Sequence, residues 1–145
     1  MSILIPRKIF TIASLITLIT CFALPATPVL AQAAPLDGRV FVADAGEKGK
    51  AADEKGDIIT FKDGKFHSSF CDQYGYGKGD YKATAQGESM AFEVETVSEK
   101  DGRLVWKGAV RGDQIEGVFT HYRKGGFFNS NPAPVEHWFK GKVKS

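Results

Sequence analysis

From Leu36 onward the chain is a succession of short runs in which apolar and polar residues alternate, with turn chemistry between most of them. A two-residue period gives one apolar and one polar face only to an extended strand. Eight runs stand out: Arg39–Ala43, Ile58–Lys62, Lys65–Phe70, Tyr81–Ala85, Met90–Val97, Leu104–Val110, Ile115–Tyr122 and Val135–Val143. Asp63-Gly64 is the dipeptide that a two-residue hairpin with positive φ at both centres selects. Gln86-Gly87-Glu88-Ser89, Lys100-Asp101-Gly102 and Arg111-Gly112-Asp113 mark further reversals. No stretch after residue 57 holds a helical period. The one helical candidate is Lys48–Lys55, limited to a turn or two by Gly46, Gly49 and Gly56.

The Asp63-Gly64 hairpin fixes which side chains share a face. It sets Phe61 opposite Phe66 and Ile59 opposite Ser68, so Ile59, Phe61, Phe66 and Phe70 point one way and Thr60, His67, Ser69 and Cys71 the other. The later runs place Tyr81, Ala83, Ala85, Met90, Phe92, Val94, Leu104, Trp106, Gly108, Val110, Ile115, Gly117, Phe119 and His121 on the apolar side. Charges such as Glu93, Glu95, Arg103, Lys107 and Glu116 take the other side. One-sided strands joined by tight turns curl around a single core, and closing the sheet removes its exposed edges. The expected architecture is an all-β, eight-stranded antiparallel up-and-down barrel, with a two-sheet sandwich as the alternative.

Charge and leader bound the partners. The 19 basic and 17 acidic residues give a formal net charge of +2. Residues 1–33 contain no acid and only Arg7 and Lys8, so the excess belongs to that segment and the rest is balanced. Without a basic surplus to neutralise phosphates, nucleic acid is not an expected partner. Arg7-Lys8, the apolar run Ile9–Leu24, the breakers Pro25 and Pro28, and Ala31-Gln32-Ala33 follow the order of a secretory signal peptide. Cleavage is expected after Ala33, with Ala31 as the alternative, leaving a barrel domain over residues 34–145. An uncleaved anchor would need roughly 20 apolar residues, more than this run supplies, and Leu18-Ile19-Thr20 lacks the small residue that precedes an acylated cysteine such as Cys21. The expected location is the periplasm or the extracellular space, without stable membrane insertion after cleavage. Cys71 then has no partner for an intramolecular disulfide.

The opening Leu36-Asp37-Gly38-Arg39-Val40-Phe41 resembles the first strand of lipocalin-like (calycin-type) barrels, with Gly38-Arg39-Val40 in place of their Gly-x-Trp signature, so that the signature tryptophan is missing. The segment Cys71-Asp72-Gln73-Tyr74-Gly75 is similar to one in small exported bacterial proteins of unassigned function. The lipocalin resemblance implies an eight-stranded barrel and a small ligand held inside it.

The apolar face is rich in rings, and an eight-stranded barrel is either filled by side chains or holds one small ligand. The candidate ligand-binding residues are Phe61, Phe66, Phe70, Tyr81, Phe92, Trp106, Phe119 and His121, with Ala83, Ala85, Gly108 and Gly117 leaving gaps among the rings. A filled core and a small cavity both satisfy this pattern. The candidate rim or partner contacts are Tyr74, Tyr76, Phe127 and Phe128. Phe127-Phe128 reads as a contact tip for a protein, a ligand entrance or a lipid surface or, more simply, as a loop with one ring folded back onto the barrel end. Neither this loop nor Tyr74–Gly79 carries a basic cluster strong enough for a membrane argument. If the core is filled, these rings make the chain a protein-interaction module.

Catalytic chemistry finds little support. Four residues apart on one strand, His67 and Cys71 stand about 13 Å apart, too far for a nucleophile and its base. There is no Gly-x-Ser-x-Gly elbow, and Tyr74–Gly79 lacks the helix that a phosphate loop requires. No cofactor is expected. His67, Cys71, His121 and His137 are the soft or borderline ligands after residue 33, and zinc or copper binding is the weaker alternative, because they form no short-spaced pair and His67 and His121 belong to opposite faces.

Overall fold

A computed structural model describes residues 35–145 of the chain. The expected leader, its two expected cleavage positions and Cys21 lie outside the described residues. Among these residues the strands are β1 (Val40–Glu47), β2 (Glu54–Lys62), β3 (Lys65–Ser68), β4 (Gly79–Gln86), β5 (Ser89–Ser98), β6 (Gly102–Arg111), β7 (Gln114–Arg123) and β8 (Val135–Val143). They pair in chain order into a closed antiparallel barrel. The seam joins β1 to β8 from Phe41 opposite Val143 to Glu47 opposite His137. That closure removes the edges a sandwich would leave, and the sandwich alternative falls with it.

The first hairpin has the expected register, with Phe61 opposite Phe66 and Ile59 opposite Ser68. Its turn residues Asp63 and Gly64 hold φ of 54° and 72°, the left-handed pair that this turn requires. Two expectations are corrected. Lys48–Lys55 forms no helix: Lys50 N–H turns back to Glu47 O at 2.9 Å, Asp53 N–H reaches Ala45 O at 3.1 Å, and β2 begins at Glu54. Nor does β3 continue to Phe70. It ends at Ser68, and a 3-10 helix over Phe70–Tyr74 follows.

The second correction has a cause in β2. Buried Asp57 accepts Ser68 Oγ–H at 2.6 Å, Ser69 Oγ–H at 2.9 Å and Phe70 N–H at 3.1 Å. A carboxylate with three donors to satisfy outcompetes continuation of the ladder. The chain therefore bends, and Cys71 comes round against the core.

The half of the barrel nearer the 63–64, 87–88 and 112–113 turns is packed solid. Phe61 is wholly buried and is met edge-on by Phe41, Phe66, Tyr81 and Phe92 at centroid distances of 6.2, 5.5, 5.0 and 5.1 Å. Edge-to-face pairs of this kind each add roughly 0.5–1.5 kcal/mol beyond burial. The segment before β1 closes this end. Buried Leu36 donates its N–H to Tyr81 Oη at 3.1 Å, and Tyr81 donates to Asp37 Oδ1 at 2.9 Å. The gaps expected at Gly108 and Gly117 are filled, since a Cβ on either would meet the ring tip of Phe139 at 2.8 Å. Ala85 is exposed rather than inward.

Candidate functional site

Inward positions change character along the strands. Toward the other end, β1 reads Phe41, Ala43, Ala45; β2 reads Phe61, Ile59, Asp57; β5 reads Phe92, Val94, Thr96, Ser98; and β8 reads Phe139, His137. Large rings give way to small or polar side chains on each. The volume lost this way is a cavity of about 330 Å³ bordered by the β1–β2, β3–β4 and β5–β6 connections. Its apolar surface comes from Leu104, Trp106, Phe119 and Phe139, with the small Ala43 and Ala45 beside them. Trp106 and Phe119 lie 4.3 Å apart between centroids, and Trp106 Nε1–H is satisfied by Thr96 Oγ1 at 3.3 Å.

The polar wall has three parts. Tyr76 donates its hydroxyl to Asp101 Oδ2 at 2.9 Å and lies 3.0 Å from His121 Nε2, which is itself 3.2 Å from Asp101 Oδ2. Burial first, and then the Asp101 carboxylate, push the Tyr76 phenol above its ordinary range. The second part is the Asp57 knot, joined by Asp53 and Glu54 at the mouth. Burial, followed by the neighbouring Asp53 and Asp57 charges, raises the Glu54 carboxyl. The third is His137, stacked on Phe119, with Arg123 completing the wall.

The candidate ligand residues separate. Phe70, Trp106, Phe119 and His121 line the cavity, whereas Phe61, Phe66, Tyr81 and Phe92 belong to the packed half. The rim candidates separate as well. Tyr76 is 4% exposed and turned inward, so it is no rim contact, while Tyr74 stands at the mouth at 47%. Neither ring of the Phe127-Phe128 pair folds back, as they are 97% and 99% exposed. Sequence reading missed Phe139, Asp57 and Asp101. Phe139 was findable by continuing the alternation of β8, whereas the acids carry no local signal.

Bending at Phe70 does not create a Cys–His couple. His67 faces outward and pairs with Asp72 Oδ1 at 2.7 Å, while burial pushes the Cys71 thiol up to about 12. A thiol so buried is a poor nucleophile at neutral pH. Among the described residues no group of three or more His, Cys, Asp and Glu side chains is placed to hold a metal ion. No family model, no curated protein and no solved structure matches this chain.

Proposed function

We propose that the chain is an exported binding protein of lipocalin-like type, whose ligand is a small amphipathic molecule with an aromatic or other apolar body. The observation that carries this reading is the cavity itself, ring-lined below and polar above, in a barrel whose other half is solid. At about 330 Å³ it lies at the lower end of the roughly 300–1,000 Å³ typical of ligand pockets. That volume suits one or two fused rings rather than a long acyl chain. Trp106, Phe119 and Phe139 offer ring faces and edges, and the carboxylates of Asp53 and Glu54 at the mouth favour a hydrogen-bond donor on the ligand's outer end. A filled-core interaction module fits less well, because the small residues Ala43 and Ala45 leave space that large ones would close.

The test is native mass spectrometry of protein purified from the cells that make it, coupled to titration of the Trp138→Phe variant. In that variant Trp106 is the remaining tryptophan, and it sits in the cavity wall. A one-to-one bound mass, with Trp106 emission that shifts as the recovered compound is added back, is the expected result. Protein that carries no small molecule, and whose Trp106 emission is indifferent to compact aromatic compounds, contradicts the proposal.

A further inference from the structure

The connection between β7 and β8 holds two phenylalanines out in water at the cavity end of the barrel. Phe127 and Phe128 are almost wholly exposed, and their rings meet edge to face with centroids 5.2 Å apart. The backbone beneath them is clasped. Gly126 N–H donates to Asn129 O at 2.9 Å, immediately below the rings, and Asn131 N–H donates to Asn129 Oδ1 at 3.3 Å. Gly125 lies so close to the backbone of Ser130 that a Cβ would overlap it. The loop is thus a narrow stem with a two-ring wedge at its apex. No acidic residue occurs from His121 to Val135, and Arg123 and Lys124 stand at the base. Lys124 is held there by its Nζ–H donating to Glu99 O at 2.7 Å.

We infer that this wedge seats the cavity end of the barrel on a lipid bilayer surface. Two rings offer roughly 300–500 Å² of apolar surface, short of the ~800 Å² that a stable protein interface takes from each partner. A wedge exposed on all sides also needs surroundings on all sides, which a bilayer interface supplies and a groove does not. Arg123 and Lys124, both exposed at the root of the loop, add two cations on the side of the barrel that the rings would bring to the headgroups. Two basic residues are few and the mouth carries the Asp53 and Glu54 carboxylates, so the rings carry the attachment and it depends little on anionic lipid. The inference stands whether or not the cavity is occupied.

The test places a reporter at the apex. Phe127→Trp protein lacking residues 1–33, whose apolar run would itself enter lipid, is mixed with vesicles of phosphatidylcholine, with and without added phosphatidylglycerol, and of brominated phosphatidylcholine. The wild-type signal of Trp106 and Trp138 serves as the blank. The apex tryptophan should shift to the blue and be quenched by the brominated chains, because quenching reports contact by this loop and not by any other segment. In the Phe127→Trp/Phe128→Ser variant the quenching should fall about tenfold at equal lipid, as expected for loss of one buried ring. Melting temperature and cavity-probe binding should be unchanged in both variants, which separates this result from the fate of the proposed ligand site. Apex emission that is unshifted and unquenched on all vesicles overturns the inference. So does a blue shift that grows with protein concentration in the absence of lipid, which would assign the rings to a second copy of the chain.

Discussion

Phe119 and His137 lie face to face in the cavity wall, with ring centroids 4.7 Å apart and planes 3° from parallel. His137 Nδ1 is buried and has no hydrogen-bond partner among the described residues. Burial draws its pKa below the ordinary 6.5, because a charged imidazolium there would lose its water without gaining a sufficient partner. The unfolded chain therefore takes up this proton first as pH falls. The contribution of His137 to stability is full above about 6.5 and is lost progressively as pH drops toward the folded-state value. His137→Phe keeps the stack and removes the titration. Thermal melts between neutral and mildly acid pH should show a shallower fall for the variant than for the wild type. Parallel curves would rule out this group as the cause.

Glu54 works in the opposite direction. Its raised pKa means that ionisation is penalised in the folded state, chiefly by burial and then by Asp53 and Asp57. That penalty is present at neutral pH and is relieved as pH falls through the folded value toward 4.5. Glu54→Gln should accordingly raise the melting temperature at pH 7, with the gain fading in acid. An equal gain at both ends of the range would point to packing rather than charge.

In the solid half, Phe61 is the ring on which the edge-to-face contacts converge. Phe61→Ala should cost about 3–5 kcal/mol by urea denaturation, combining lost burial and a void that its neighbours cannot close. Gly108→Ala adds volume instead. Its Cβ would stand 2.8 Å from Phe92 Cζ, Phe139 Cζ and Glu116 O, and overpacking of this kind costs roughly 1–3 kcal/mol. Combining it with Phe139→Leu should return part of that loss, since one of the colliding atoms is removed and the backbone oxygen is not.

Cys71 is raised to about 12 by burial and by the nearby Asp57, Glu54 and Asp72 charges, with the Ser68 hydrogen bond opposing them. The thiolate that reacts with iodoacetamide is therefore scarce in the native protein. Peptide-level mass spectrometry should find Cys71 unmodified after mild treatment near pH 8 and fully modified once urea is added. Equal labelling in both conditions would show that the 3-10 helix opens readily.

Much of this architecture is written in local pattern. The eight runs and the Asp63-Gly64 register follow from alternation and turn chemistry, because strand faces and hairpin geometry are decided by neighbours in sequence. The failures arise where a distant group decides. Nothing near Ser69 announces that Asp57, on the preceding strand, will draw Phe70 out of the sheet. Nothing near Tyr76 announces that Asp101 will draw the phenol inward. The cavity was partly legible: inward positions falling from Phe41 to Ala43 and Ala45, and from Phe92 to Thr96 and Ser98, trace the loss of volume along each strand. Composition of the apolar face as a whole averages that gradient away, and so all its rings looked equally suited to a ligand.

Because the account turns on an open, ring-lined space at one end of the barrel, filling that space is its most direct trial. The neutral, polarity-sensitive two-ring dye 6-propionyl-2-(dimethylamino)naphthalene can be titrated by fluorescence into the wild type and into Ala45→Phe, whose new ring would point into the cavity. Saturable one-to-one binding by the wild type, and its loss in a variant that still melts cooperatively, is the expected outcome. Dye that fails to bind the wild type, or binds both proteins alike, would contradict it.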